Sequence, residues 1–316
     1  VVKEKGELKE EIPLRQLEQI TITGAGITIS SDLIRECMES GVQINFLTNS
    51  GNPLAKVISP YITGTVATRR EQILAYLDER GLTLAKAFID GKIRNQSSVL
   101  KYFARHRKTS ATDVYKMLLD AADELENARQ ELEKLQGKNI DEVRGQIFSV
   151  EGRAAQHYWR GVSAILGKNI CFLGRQGRGA IDPVNSCLNY GYGILYTQVW
   201  GAVALAGLEP FAGFLHTDRP GKPSLILDLT EEFRAQVIDR VVIAMITKGG
   251  KIKMEDAMLT STTRRELARR VLERLETTEI TDGKKQKLRA IIQIQARRIA
   301  SYLRGENRYR TWVGGW

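Results

Sequence analysis

The stretch VQINFLTNSGNPLAKVISPYITGTVATRREQILAYL, residues 42–77, changes its hydrophobic period part-way along, and that change decides the fold. Val42 to Leu47 is rich in β-branched and aromatic residues. Asn49-Ser50-Gly51-Asn52 has hairpin-type turn chemistry, and Leu54 to Ile58 returns as a second strand. After Gly64 the period becomes helical, beginning with Arg69 to Leu77. The segment therefore closes a β-rich region and opens a helical one, with the junction at Thr63 to Thr68.

Working outward, Val1 to Lys3, Gln19 to Thr23 and Ile27 to Ile29 read as further strands. One short helix interrupts them, capped by Ser31 or Asp32, with Leu33, Ile34, Cys37 and Met38 on one face and Gly41 at its end. Toward the C-terminus, helices are expected at Thr83 to Phe88, Ser98 to His106, Asp113 to Leu135, Asp141 to Leu166, Val184 to Leu208, Glu231 to Thr247, Thr262 to Leu275 and Lys284 to Arg304. The expected architecture is α+β and multidomain. A small β-sheet N-terminal domain, residues 1–64, precedes a larger all-α domain, residues 65–316.

Composition narrows the class. With 316 residues, 42% of them hydrophobic and 27% charged, the chain buries a full core and is not a disordered protein. Its longest apolar stretch, Trp200 to Leu208, is about half of what a membrane span needs, which excludes an integral membrane protein. Cys37, Cys171 and Cys187 have no CxxC spacing and read as reduced thiols of a cytoplasmic protein. No basic-then-apolar segment opens the chain as an export signal would, and Val1 in place of Met points to residues upstream.

The net charge is +10, and the excess is uneven. Residues 1–64 hold six Lys/Arg against eight Asp/Glu, so the remainder holds 41 against 29. Polyanion binding belongs to the helical body.

Five features in that body could carry chemistry. Glu151 shares a helical stripe with Ile147, Ala154, Ala155 and Tyr158, a costly place for a carboxylate without a partner; from this helix alone, pairing with a nearby Arg is favoured. His216 follows the apolar Phe214-Leu215 and precedes the turn Arg219-Pro220-Gly221-Lys222-Pro223; alone, it reads as a structural hydrogen-bonder. Ser224 to Asp228 looks strand-like with a helix after it. Asp228 and Glu231 then have the spacing of an N-cap and its capping-box acid, or of two carboxylates aimed at one point. One Glu, one His and a Glu/Asp pair suit a hard divalent ion such as Mg²⁺ or Mn²⁺.

The fourth feature is the loop Gly174-Arg175-Gln176-Gly177-Arg178-Gly179. It lacks the Gly-Lys-Ser/Thr of a nucleotide P-loop, which excludes that ATPase motif, but its glycines and arginines suit phosphate contact as well as a plain surface loop. Asn185 and Tyr190 follow it, with Tyr190 and Tyr192 open to base stacking or to a core role. The fifth feature is the C-terminal helix, whose cationic face includes Arg297 and Arg298. Arg175, Arg178, Asn185, Tyr190, Lys222, Arg297 and Arg298 are the DNA-contact expectations.

Together these pieces resemble one family, the CRISPR-associated integrases that insert new spacers. The segments that carry the resemblance are Glu-Gly-Arg-Ala-Ala at 151–155, Asp-Pro-Val-Asn at 182–185, Leu-Asn-Tyr-Gly-Tyr-Gly at 188–193, Phe-Leu-His at 214–216 and Ser-Leu-Ile-Leu-Asp-Leu-Thr-Glu-Glu-Phe-Arg at 224–234. Lys92-Ile93-Arg94-Asn95-Gln96 fits as well, and the order holds across nearly the whole chain.

The resemblance implies a homodimer formed through the front domains, and one Mg²⁺ or Mn²⁺ held by Glu151, His216 and Glu231 with Asp228 as accessory ligand. It implies metal-assisted attack of a DNA 3′-hydroxyl on repeat DNA, or of water in an endonuclease reaction. The implied partners are prespacer and CRISPR repeat DNA, together with a small ferredoxin-like second adaptation protein in a heterohexamer-type complex; no membrane is involved. The family usually begins with a further strand, so Val1 is expected to enter mid-sheet, through truncation or after an upstream domain such as a reverse transcriptase. The competing readings are a general branched-DNA or repair endonuclease and a non-catalytic DNA-binding scaffold.

Overall fold

A computed structural model describes residues 1–17, 19–49, 51, 53–59, 66–167, 170–177 and 179–315. Parts of the expected turn (Ser50, Asn52) and junction (residues 63–65) lie outside these, as does Arg178. The chain divides into two compact units, Val1–Ile62 and Thr63–Trp316.

In the first unit, strands β1 (Val2–Glu4) and β2 (Glu7–Glu10) form a hairpin. Strands β3 (Gln19–Thr23), β4 (Gln43–Leu47) and β5 (Pro53–Val57) form a sheet in that order, β3 parallel and β5 antiparallel to β4. Parallel pairing requires a crossover, supplied by helix α1 (Ser31–Glu39). Ser30, rather than Ser31 or Asp32, caps α1 by accepting from the Leu33 amide at 3.2 Å. Gly41 ends it at φ +72°, with Val42 N–H reaching back to Cys37 O at 2.8 Å, a left-handed closure that favours glycine. Cys37, Val42 and Ile44 form the small core. Ile27 to Ile29 is not a strand.

The second unit is mostly helical. Helices α2 (Val66–Ala75), α3 (Glu79–Arg105), α4 (Thr112–Lys134) and α5 (Ile140–Leu166) are followed by the largely buried α6 (Pro183–Leu205). Then come α7 (Ser224–Arg234), a π-helical turn (Ala235–Asp239) and α8 (Arg240–Thr247). The short hairpin β6 (Met254–Glu255) and β7 (Met258–Leu259), helix α9 (Ser261–Glu276), the hairpin β8 (Thr278–Thr281) and β9 (Lys284–Lys287), and α10 (Leu288–Leu303) complete it. Asp182 and Pro183 start α6 as N-cap and first-turn proline. No helix among the described residues is long and apolar enough to cross a membrane.

Three sequence expectations are corrected here. Residues 83–88 and 98–106 belong to one helix, α3, which Gly91 does not break: a Cβ at Gly91 would collide with Thr311 and Glu232. Ser224 to Asp228 is the first half of α7 and not a strand, because a helix buried nearly all round loses its polar stripe. Asp228 and Glu231 are therefore helix-interior residues rather than a cap and its box. Finally, Lys284 to Lys287 is a strand, and α10 starts at Leu288.

The C-terminal segment is clipped against α3, α7 and α10. Asn95 donates to Glu232 O at 2.8 Å and Trp312 O at 2.9 Å, and accepts from Gly314 N. Trp312 stacks on Phe233 with ring centroids 5.4 Å apart. The buried Glu232 carboxylate accepts from Trp312 N (2.5 Å), Gln295 Nε2 (2.5 Å) and the Tyr309 hydroxyl (2.6 Å).

Burial pushes the Glu232 carboxyl up to about 7 against these donors, and burial also lifts Asp239 to about 6. Both groups keep in the folded state a proton that the unfolded chain has already released, so stability falls as pH rises through that window. The melting temperature should drop by several degrees from about pH 5 to about pH 8. Glu232→Gln should flatten the slope. Scanning fluorimetry in buffers of matched ionic strength checks this, and a wild-type profile that rises across the window contradicts it.

Candidate active site

Helix α5 carries Glu151, α7 carries Glu231, and α3 places Lys92 with them. The Lys92 ammonium lies 2.5 Å from Glu151 Oε1 and 2.7 Å from Glu231 Oε2. Two carboxylates, 59 and 139 positions from Lys92 along the chain, thus converge on one cation. Arg234 pairs with the other Glu231 oxygen at 3.1 Å. Burial works to raise the Glu231 carboxyl, but Arg234, Lys92 and His216 outweigh it and hold the group down at about 2. Burial likewise opposes the Lys92 charge, and Glu231 with Glu151 overcomes it, keeping the amine above its ordinary value.

His216 sits on the loop before α7, and Asp228 builds that loop. Its Oδ2 accepts from Phe214 N (2.7 Å) and Leu215 N (3.0 Å); its Oδ1 accepts from His216 N (3.0 Å) and contacts His216 Nδ1 at 2.6 Å. A carboxylate at Nδ1 favours the proton there and leaves Nε2 with a lone pair. Arg144 of α5 holds the same loop, donating to Leu215 O at 3.0 Å and Phe214 O at 3.2 Å. Gly213 lies so close to the start of α7 that a Cβ there would sit 2.6 Å from the Ser224 carbonyl carbon. Fully buried and with both oxygens engaged, Asp228, expected as an accessory metal ligand, stands behind the imidazole.

Of Glu151, His216 and Glu231, expected around a single point, the structure brings two onto one cation. Glu151 and Glu231 converge, and His216 is close enough to Glu231 to act on its charge. No group of three or more His, Cys, Asp or Glu among the described residues forms a ready ligand set, because Lys92 occupies the point of convergence. The donors nevertheless suit a hard divalent cation: two carboxylates already gathered on one positive charge, one Glu231 oxygen without an aligned hydrogen bond, and an imidazole oriented through Nδ1.

The Lys92–Glu151 pair forms part of the wall of a cleft of about 890 Å³. Trp159 and Tyr192 line it, and so do Arg160, Arg175 and Arg234. Arg175 is thus where the sequence reading expects a DNA contact. Asn185 and Tyr190 are not: they are 1% and 3% exposed. Asn185 organises the loop instead, accepting from Gln176 N at 2.9 Å and donating to Gly174 O at 2.9 Å. Arg178 lies outside the described residues. Lys222 is in the turn before α7, reaching Thr217 O at 3.4 Å. Arg297 and Arg298 line a separate shallow groove with Arg308 and Arg310, where Arg298 also pairs with Asp282.

Sequence reasoning assigned no role to Lys92 or Arg234, and left Tyr192 open between base stacking and the core. Lys92 had a detectable signal: it falls among Ile89, Ile93 and Gln96 on the buried face of α3, where a lysine needs an anion.

The family described as CRISPR associated protein Cas1 matches residues 1–277. A CRISPR-associated endonuclease Cas1 of Archaeoglobus fulgidus is 41% identical over 329 aligned residues, covering 100% of this chain and 94% of that relative. Another, from Francisella tularensis subsp. novicida, is 35% identical and covers 100% and 94%. Among solved structures, a casposase bound to integration product superposes with a TM-score of 0.79 at 27% identity, covering 93% of this chain and 80% of that one.

Proposed function

The chain belongs to the CRISPR-associated Cas1 family, and from that premise we propose that it cuts and joins DNA by divalent-metal-assisted phosphoryl transfer at the Glu151–Lys92–Glu231 cluster. The protein is a nuclease and integrase of spacer acquisition, the stage at which CRISPR arrays gain new sequences. The observation that carries the site assignment is the convergence of two carboxylates, from helices far apart in the chain, on one cation position in a basic cleft.

Glu151, His216 and Glu231 would hold Mg²⁺ or Mn²⁺, which supplies charge neutralisation at the scissile phosphate when bound. Asp228 fixes the imidazole so that Nε2 is the ligating nitrogen. Lys92 gathers the two carboxylates and helps keep Glu231 ionised. The cleft arginines draw the phosphodiester backbone in without reading its sequence, so affinity should fall steeply with salt. The front unit would serve homodimerisation, and the partners would be prespacer and repeat DNA with the small second adaptation protein.

The deciding experiment offers branched DNA with a free 3′-hydroxyl to the purified chain with Mn²⁺, Mg²⁺ or EDTA. Strand joining that needs the metal and favours repeat-containing over arbitrary DNA is expected. Equal activity on any branched DNA would make this a general repair nuclease, and DNA binding without chemistry under any metal would make it a scaffold.

A further inference from the structure

Inside the cleft, two guanidiniums share one aromatic ring. Arg175 Cζ lies 5.1 Å and Arg234 Cζ 4.9 Å from the centroid of Tyr192. The Tyr192 hydroxyl is 2.5 Å from Asp239 Oδ1, and the second Asp239 oxygen accepts from Tyr158 at 2.9 Å. Asp239 is buried and belongs to the π turn that follows Arg234, so the ring is locked at its far end by the element that carries one of its cations.

Two like charges around one ring repel each other, and the hydrogen-bond partners of Arg175 are neutral. Arg175 donates to Asn185 Oδ1 at 3.1 Å and Asn189 Oδ1 at 2.6 Å. Arg234 gives one nitrogen to Glu231, while its Nε is buried without a hydrogen-bond partner. An unmet guanidinium N–H in a cleft marks a missing acceptor, and planar guanidiniums match a phosphate oxygen pair.

The geometry points to a phosphodiester subsite formed by Arg175 and Arg234, with Tyr192 as the positioning residue that aims both cations. It would hold the phosphate of an unpaired DNA strand next to the reacting one, and it rests on the reading of this cleft as the place where DNA reacts. Tyr192 itself does not touch the reacting atoms. Its ring faces attract the guanidiniums, and its hydroxyl, held by Asp239, fixes where the ring stands.

The test uses the full chain and a fluorescein-labelled branched DNA with a single-stranded 3′ arm. Anisotropy in EDTA gives affinity across a salt series, and Mn²⁺-dependent joining gives KM and kcat. Tyr192→Leu should weaken binding about tenfold and lower the slope of log affinity against log salt by about one, raising KM with little change in kcat. Tyr192→Phe keeps the ring faces and should recover most of the affinity. Arg175→Gln, outside the Tyr192–Asp239 lock, should lose the same slope and keeps the test decisive if Tyr192→Leu does not fold. An unchanged slope in Arg175→Gln, or Tyr192→Phe as weak as Tyr192→Leu, overturns the inference. If the wild type neither cuts nor joins with metal, the reading of the cleft fails on its own, while the slopes in EDTA still judge the subsite.

Discussion

Glu151→Gln should lower metal-dependent cutting and joining by about a thousandfold or more while leaving folding and DNA affinity intact. The substitution keeps the size of the side chain and removes one of the two negative charges that meet at Lys92. Lys92 retains Glu231 at 2.7 Å, so no buried cation is stranded, and the Glu151 side chain is 22% exposed, which keeps the stability cost small. DNA affinity should hold or rise, because an anion has left a basic cleft. Single-turnover joining of labelled branched DNA, beside anisotropy and a melting curve, reads all three quantities. Joining within tenfold of wild type in a folded variant would remove Glu151 from the metal site.

The second large effect is expected at Asp228. One carboxylate there accepts from three consecutive backbone amides, Phe214, Leu215 and His216, and orients the His216 ring as well. Asp228→Ala leaves those donors unpaired beneath a fully buried position, at a cost of about 3–5 kcal/mol after partial relaxation of the loop. Activity should fall about a hundredfold even where the variant is folded, because the imidazole is no longer held. Asp228→Asn separates the two effects: it keeps one acceptor oxygen and much of the stability, yet opposes an amide to Nδ1 and disturbs the tautomer. Urea denaturation beside the joining assay resolves them. Asp228→Ala with a wild-type denaturation midpoint would show that the amides find other partners.

The change from strand β5 to helix α2 was legible because period is a local property, and so was the end of α1 at Gly41. The π turn was not, since apolar spacing over 231–247 is compatible with a continuous helix. Glu151 stood out as a carboxylate within an apolar stripe. A cap role for Asp228 stayed open beside the paired-carboxylate one because Ser224 to Asp228 reads as a strand whenever burial on all sides erases the helical stripe. The two tyrosines of Tyr190-Gly191-Tyr192 could not be ranked from spacing alone: they point differently from α6, and only packing sends Tyr190 to the core and Tyr192 to the cleft. The placing of Lys92 on a buried face was detectable within α3, but its partners were not, because α5 and α7 contribute them and pairings across such separations leave no trace in local pattern.

The wide turn Ala235–Asp239 sets a constraint on chain length rather than on side-chain identity. Delete one residue within it, and the segment would close into ordinary α geometry with its ladder of amide bonds complete. The part before the turn would then rotate by about 100° against the part after it, since each helical residue advances by that angle. Arg234 and Asp239 would no longer face the same cavity. A one-codon gap at this place would therefore shift the packing of the buried α7 and the site it carries together.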